Sequence, residues 1–331
     1  MTPHLLRGAA PTMAGAILVA LLPLLGNRYH LHLGTLIASY WVLIGGLNLV
    51  VGFTGVLSIG HVGLLAMGAY VFAILAQGGV VPEVALLVSG TVGGVCGALL
   101  GLPSLRLPGF YFAMATLAFT IIVVELAIAL SWLTGGGTGI SVSGFSGPFM
   151  SPTGQYALTV AAALIVTWMS LNVTRTMWGR AMIAVRDSEV MAASVGIKPH
   201  RVKLAVFTFS GVTAGIAGAL FGALQSYVTP DTFAFDLSLL FFICIIIGGR
   251  GSVVGPFLGT VVLAMLPELV GPLAKLGHLL YGFLLLAIVL LLPGGLANAV
   301  KQRARERSQP GDAGHDTPDY ARLAASIRVE R

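Results

Sequence analysis

The sequence predicts an all-α, polytopic transmembrane helical bundle of about ten spans (8–10), and three observations carry that expectation. Only 9% of the 331 residues are Asp, Glu, Lys or Arg and 56% are hydrophobic, whereas about a quarter of a soluble domain is charged. Apolar runs near twenty residues long, enough to cross about 30 Å of hydrocarbon, recur from Met13 to Leu292. Helix suits such runs because it satisfies its own amides and carbonyls without water.

In order, the runs place spans at 11–26, 33–51, 62–77, 82–102, 110–132, 156–173, 204–226, 237–248, 253–272 and 277–292. The first follows a lone basic residue, Arg7, and no small-x-small cleavage site follows it, so it reads as a span and not as a secretory signal. The eighth is short for a crossing. Between the second and third, Gly52, Gly55 and Gly60 together with Thr54 and Ser58 interrupt the apolar run, so a broken helix is expected near 52–61. At membrane depth such breaks occur where protein or a water-filled cavity satisfies the freed backbone, and in transporters they line the substrate path. Gly52, Thr54, Gly55, Ser58, Gly60 and His61 are therefore candidates for that path, with a plain turn as the alternative. A lone histidine here reads more simply as packed and hydrogen-bonded than as a ligand.

Glu125 is the one acid well inside a span. Its burial would be expensive, which makes it a further pathway candidate; pairing with a partner subunit and reaching the outer interface are the other readings. Glycine, at 44 residues, is well above its ordinary share of about 7%. Gly93, Gly97 and Gly101 recur every four residues on one span, and Gly211 with Gly215 and Gly218 with Gly222 on another, a spacing that lets helix backbones approach closely.

Charge sets the orientation. With the N-terminus inside, 16 of the 18 Lys and Arg residues fall on the cytoplasmic side and only Arg28 and Lys275 outside, so both termini are expected in the cytoplasm. The basic residues sit in gaps between apolar runs and form no stripe, which excludes nucleic acid as a partner. Cys96 and Cys244 lie in apolar segments and imply neither a disulfide nor a metal framework. His30 and His32 form an H-x-H pair in a short outer loop with no third ligand nearby, so no metal site is expected. Residues 1–300 thus read as one transmembrane domain. Residues 301–331 read as a cytoplasmic, disordered tail that opens on a juxtamembrane basic cluster from Lys301.

The sizeable polar segment inside the membrane region runs from Arg175 to Lys203. Its centre, Gly179 to Val195, is helix-compatible and amphipathic, Gly196 reads as a C-terminal cap, and Pro199 stops any continuation. Its apolar members are mainly Ala, Val, Met and Ile among mixed charges, which favours docking to a protein groove over lying in the headgroup layer. The charges themselves admit a plainer reading, a solvated face with i, i+3 pairing of Arg186 and Glu189.

Four stretches, in order, make a resemblance specific: NLVVGFTGVLSIGHVGLLAMGAY from Asn48, GFYFAMATLAF from Gly109 with LTGGGTGI from Leu133, RDSEVMAASVGIKPHRVKLAVFTFSGVTAGIAGALFG from Arg186, and GGRGSVVGPFLG from Gly248. Together they resemble the membrane permease subunits of ATP-binding-cassette importers of branched-chain amino acids. The resemblance implies that the 175–203 segment is a coupling loop whose helix sits in a cleft of cytoplasmic ATPase subunits, with Arg186, Asp187, Glu189, Ala193 and Gly196 on the motif. It implies a second, homologous permease chain, an external substrate-binding protein, a small-molecule substrate and a multi-pass place in the inner (plasma) membrane. The family pattern sets a Glu at the position of Ile121, so Glu125 stands one helical turn away from it. No G-x-x-x-x-G-K-[ST] loop is present in the chain, so ATP and Mg are expected on partner subunits, with no cofactor held here and no enzyme activity in this chain. Branched-chain or other apolar amino acids are the first substrate expectation, and urea or short amides the second. An ion-gradient-driven secondary carrier and a membrane-embedded enzyme are rivals of other classes. Scarce intramembrane carboxylates weigh against the first, and the lack of paired carboxylates or His and Glu clusters against the second.

Overall fold

Apolar helices that bury one side and leave the other greasy are the repeating unit of the structure. A computed structural model describes residues 28–103, 107, 109–249, 251–253, 255–270 and 282. The expected span at 11–26, that at 277–292 apart from Gly282, and the tail at 301–331 lie outside these, as do Arg7, Arg106, Arg250 and Lys275. Each of the other eight expected spans corresponds to one helix: α1 Arg28–Asn48, α2 His61–Gln77, α3 Pro82–Gly101, α4 Gly109–Ala129, α6 Pro152–Arg175, α9 Pro199–Gln225, α10 Phe235–Gly248 and α11 Gly255–Val270. Among the described residues six segments are long and apolar enough to cross a membrane: 28–53, 82–101, 109–129, 152–175, 199–225 and 230–248. His30 and His32, expected in a loop, belong to the first turn and a half of α1.

Between these run the short elements. A one-turn helix α5, Ser131–Thr134, follows α4, and a two-strand ribbon of β1 (Ile140–Ser141) and β2 (Tyr227–Val228) pairs Ile140 with Val228 in antiparallel register. The LTGGGTGI stretch turns the chain into this ribbon with Gly135, Gly136 and Gly139 all at positive φ. That backbone is open to glycine at little cost and strained for other residues.

The helices are amphipathic in volume more than in polarity. On α3 the buried side carries Ala85, Ser89, Gly90, Gly93, Gly94 and Gly97, while Leu87, Val95 and Leu99 on the other side stay exposed. Exposed side chains of this size on α3, on α4 (Phe110, Ile122) and on α6 (Ile165, Trp168) suit hydrocarbon and not water. Several hydroxyls within the spans are satisfied on their own helix: Thr35 donates to the Leu31 carbonyl, Ser39 to Thr35, and Ser89 to Ala85, which spares them a bare polar group in a dry setting. The buried Thr120, Ser170 and Ser238 hydroxyls, by contrast, find no protein partner among the described residues.

Helix α9 is the hub. It packs against α3, α2 and α1, and the contact with the first two is backbone on backbone. A Cβ added at Gly211 would overlap the Gly93 carbonyl, one at Gly215 the Ser89 carbonyl, and one at Gly218 the Leu65 carbonyl of α2. From the other side, a Cβ at Gly93 would strike Gly211 and one at Gly68 would strike Gly215. The two glycine series noted in the sequence therefore meet each other. Replacing Gly211 with Leu is expected to destabilise this contact by about 1–3 kcal/mol or more, seen as a lower thermal midpoint of the detergent-solubilised chain. Gly144→Ala, where nothing lies within 4 Å of the added Cβ, should leave that midpoint in place.

Candidate functional site

Helix α1 ends abnormally. After Asn48 it widens into a π turn, Leu49–Phe53, and from Thr54 to Ile59 the backbone follows no regular helix until α2 begins at His61. Gly55 takes φ +71, which an L side chain rarely adopts. A helix C-terminus leaves carbonyls without intrahelical donors and carries partial negative charge. Two contacts with segments far along the sequence hold this end in place.

The first is Arg186. Its Nη1 donates to the Gly52 carbonyl at 3.2 Å, its Nε pairs with Asp187 Oδ1 at 3.2 Å, and its Cγ lies 2.6 Å from where a Cβ on Gly55 would stand. The guanidinium thus caps the broken end of α1, and Gly55 lacks a side chain because the stem of Arg186 occupies its place. The second is Asn48 itself, whose Nδ2 donates to the Ser252 carbonyl at 2.9 Å and whose Oδ1 accepts from the Gly251 amide at 3.3 Å. A Cβ on Gly52 would overlap both Asn48 Oδ1 and the Gly251 amide. On the other side of the break the Ile59 amide donates to Thr116 Oγ1 at 3.0 Å, and Gly60 lies flat against the Thr116 carbonyl. Residues of all four motif stretches thus converge on 48–61.

His61 opens α2 as a fully buried residue. Its Nδ1 shares a hydrogen bond with Ser58 Oγ at 2.9 Å and its Nε2 one with Ser210 Oγ of α9 at 2.7 Å. The histidine therefore fastens the break to the hub helix. Thr54 is likewise turned inward, donating to the Val50 carbonyl. Among the pathway candidates at the break Gly52, Thr54, Ser58, Gly60 and His61 are buried, and Gly55 is exposed. Glu125 is not brought to this cluster: it lies exposed on α4, among the exposed Ile121, Ile122 and Leu126.

The polar segment is two helices and not the single one expected from 179 to 195. Helix α7 spans Met177–Asp187 and α8 spans Glu189–Ser194. The break falls at Ser188, whose extended backbone ends α7 and whose Oγ accepts from the Met191 amide at 3.2 Å to cap α8, the usual work of an N-cap serine. Gly196 lies just past α8 with φ +85, the left-handed position glycine favours there, and Pro199 is the first residue of α9. The i, i+3 pair of Arg186 and Glu189 does not form. Arg186 turns to Gly52 and Asp187, while Glu189 Oε1 receives Lys203 Nζ at 2.7 Å. Asp187, Glu189, Ala193 and Gly196 are exposed.

Between break and loop lies a cavity of about 190 Å³, lined among others by Thr54, Gly55, Phe112, Arg186, Glu189 and Lys203. Beyond it α8 and the residue that follows it present Val190, Met191 and Val195 with 81%, 67% and 74% of their surfaces exposed, a small apolar knob. No group of three or more His, Cys, Asp or Glu able to hold a metal occurs among the described residues.

A family model described as branched-chain amino acid transport system / permease component matches residues 31–291. The chain belongs to this family. As a permease component it is an integral membrane protein, not an ATPase. Similar chains include the high-affinity branched-chain amino acid transport system permease protein LivM of Salmonella typhimurium, 32% identical over 324 residues that cover 89% of this chain and 76% of that one. LivM of Escherichia coli is 33% identical over 308 residues, 85% and 72% of the two chains. The permease is also 30% identical over 255 residues to the autoinducer 2 import system permease protein LsrC of an Enterobacter species, 71% and 72% of the two chains. No solved structure matches it.

Sequence reading passed over Asn48, Thr116, Lys203 and Ser210. Asn48, Thr116 and Ser210 are polar residues in apolar runs, and that was the available signal, since a buried polar group in a span needs a partner; Lys203, at the end of the polar segment, gave none. Ser210→Ala leaves His61 Nε2 without its α9 partner, and an orphaned buried group of this kind costs about 1–3 kcal/mol. A lower thermal midpoint of the solubilised permease checks this, and Ser210→Thr should recover part of the loss.

Proposed function

We propose that this permease carries branched-chain or other apolar amino acids into the cell, as one of two homologous permease chains that share a pathway. An external binding protein delivers the substrate, and cytoplasmic ATPase subunits supply the energy and hold the ATP and Mg. Both termini face the cytoplasm, on the charge distribution. The substrate class is supported by the family description and by the two LivM relatives, which are the more similar and more fully covered of the chains compared above.

The observation that carries the mechanism is the bond from Arg186 at the end of α7 to Gly52 at the broken end of α1. In this reading the apolar knob of α8 docks on the ATPase, and closure of the ATPase pair moves α7 and α8 as one piece. Arg186 transmits that displacement to the 52–60 segment, whose backbone leaves regular helix from Thr54 to Ile59 and is therefore the easiest part of the span to move. His61, held between Ser58 and Ser210, is the fixed end against which the segment bends. Docking and transmission are thus assigned to different residues, which separates their tests.

Val190→Asp with Met191→Asp is expected to abolish co-purification of the ATPase and uptake together. Arg186→Ala keeps the ATPase bound and its hydrolysis running while uptake of radiolabelled leucine by proteoliposomes of the full complex falls at least tenfold, which corresponds to about 1.4 kcal/mol of lost coupling. Undiminished leucine uptake by the Arg186→Ala complex would refute the transmission role. Uptake by the permease alone under a proton or sodium gradient would replace this reading with a secondary carrier.

A further inference from the structure

A second recess lies on the opposite side of α7 from the Arg186 bond. It is an open groove of about 790 Å³ between α7 and the start of α9, lined by Met177, Trp178, Arg180, Ile197, Lys198 and Arg201 together with smaller apolar residues. Three cations and no acid line it. Among the described residues no ion pair and no side-chain hydrogen bond engages Arg180, Lys198 or Arg201, and all three are exposed, so their charge is open to an anionic ligand.

The level of the groove says what that is. Helix α6 crosses for 24 residues and stops at Arg175, two residues before Met177, and α9 starts its 27-residue crossing at Pro199. The groove therefore lies beside the ends of two segments long and apolar enough to span a membrane, the level at which headgroups are expected. Met177 and Trp178, at the start of α7, are 76% and 51% exposed, and an indole beside basic side chains is the side-chain chemistry of a membrane interface. The groove leaves out the knob assigned to the ATPase, Val190, Met191 and Val195, and meets the coupling motif only at Gly196.

We propose that this groove binds the headgroup of an anionic phospholipid, with Arg180, Lys198 and Arg201 around the phosphate and Met177 and Trp178 against the glycerol and upper acyl chain. A lipid seated there holds α7 at its membrane end while α8, at its other end, follows the ATPase. Anionic lipid would then set how stiffly α7 transmits.

The full chain, with its ATPase where that co-purifies, is placed in nanodiscs of mixed phosphatidylglycerol and phosphatidylcholine, stripped in mild detergent, and its retained lipid counted by native mass spectrometry. The expected result is selective retention of phosphatidylglycerol, with retention on the order of a hundredfold weaker in Arg180→Gln/Lys198→Gln/Arg201→Gln and preserved in Arg180→Lys/Arg201→Lys. Trp178 fluorescence, read as the difference from Trp178→Phe, is quenched by brominated phosphatidylglycerol and not by brominated phosphatidylcholine. Should the triple variant fail to fold, Arg180→Gln and Lys198→Gln alone each lower retention about fivefold. The proposal is overturned if phosphatidylcholine is held equally well, if inorganic phosphate displaces the lipid, or if neutralising the cations leaves phosphatidylglycerol in place. In the last case, loss of the ATPase would assign the groove to an acidic protein surface.

Discussion

Backbone-to-backbone contact at α9 is the constraint on which the other packing depends. In hydrocarbon, apolar side chains gain little by leaving lipid for each other, so association rests on van der Waals fit and on how near two backbones can come. Gly211, Gly215 and Gly218 let α9 touch α3 and α2 at carbonyl distance. That closeness brings Ser210 within reach of His61, and the Ser210–His61–Ser58 chain then fixes where α2 starts and where the break must end. A side chain in the glycine seam would push α9 outward and part this relay before it touched any residue of the loop.

The break itself illustrates how irregular backbone is tolerated inside a membrane protein. Freed groups find partners drawn from elsewhere: Gly52's carbonyl takes Arg186 and Ile59's amide takes Thr116, while the Asn48 side chain binds the loop after α10 through Ser252 and Gly251. One of these partners is a charged side chain from the polar loop, and that choice makes the arrangement mechanical as well as structural. A helix end capped by its own residues would be indifferent to the loop, whereas one capped by Arg186 cannot keep its hydrogen bond if α7 shifts.

Much of this was legible in the chain of residues. Apolar run length located the eight long helices of the described region, because the physical requirement of spanning hydrocarbon is one-dimensional. Glycines at four-residue spacing announced close approach, and three glycines with two hydroxyls announced the break at 52–61. Pairings across long separations were not legible. Arg186 reads as a partner for Glu189 when only neighbours are visible, yet Glu189 goes to Lys203 and Arg186 to a backbone carbonyl 134 residues away. Periodicity carried one helix across Ser188, where the capping hydroxyl in fact ends it. Exposure was equally hidden: helix position alone could not tell that Glu125 lies on an outward face while His61 is enclosed.

The central claim is that Arg186 carries motion from the loop to the broken end of α1. Hydrogen–deuterium exchange of the 52–60 amides in the full complex, with and without ATP, tests it most directly in wild type and in Arg186→Ala. The account predicts that ATP changes exchange in this segment in the wild-type complex and that the change vanishes in the variant, while exchange in α8 responds to ATP in both. An equal ATP-dependent change at 52–60 in the two complexes would contradict it.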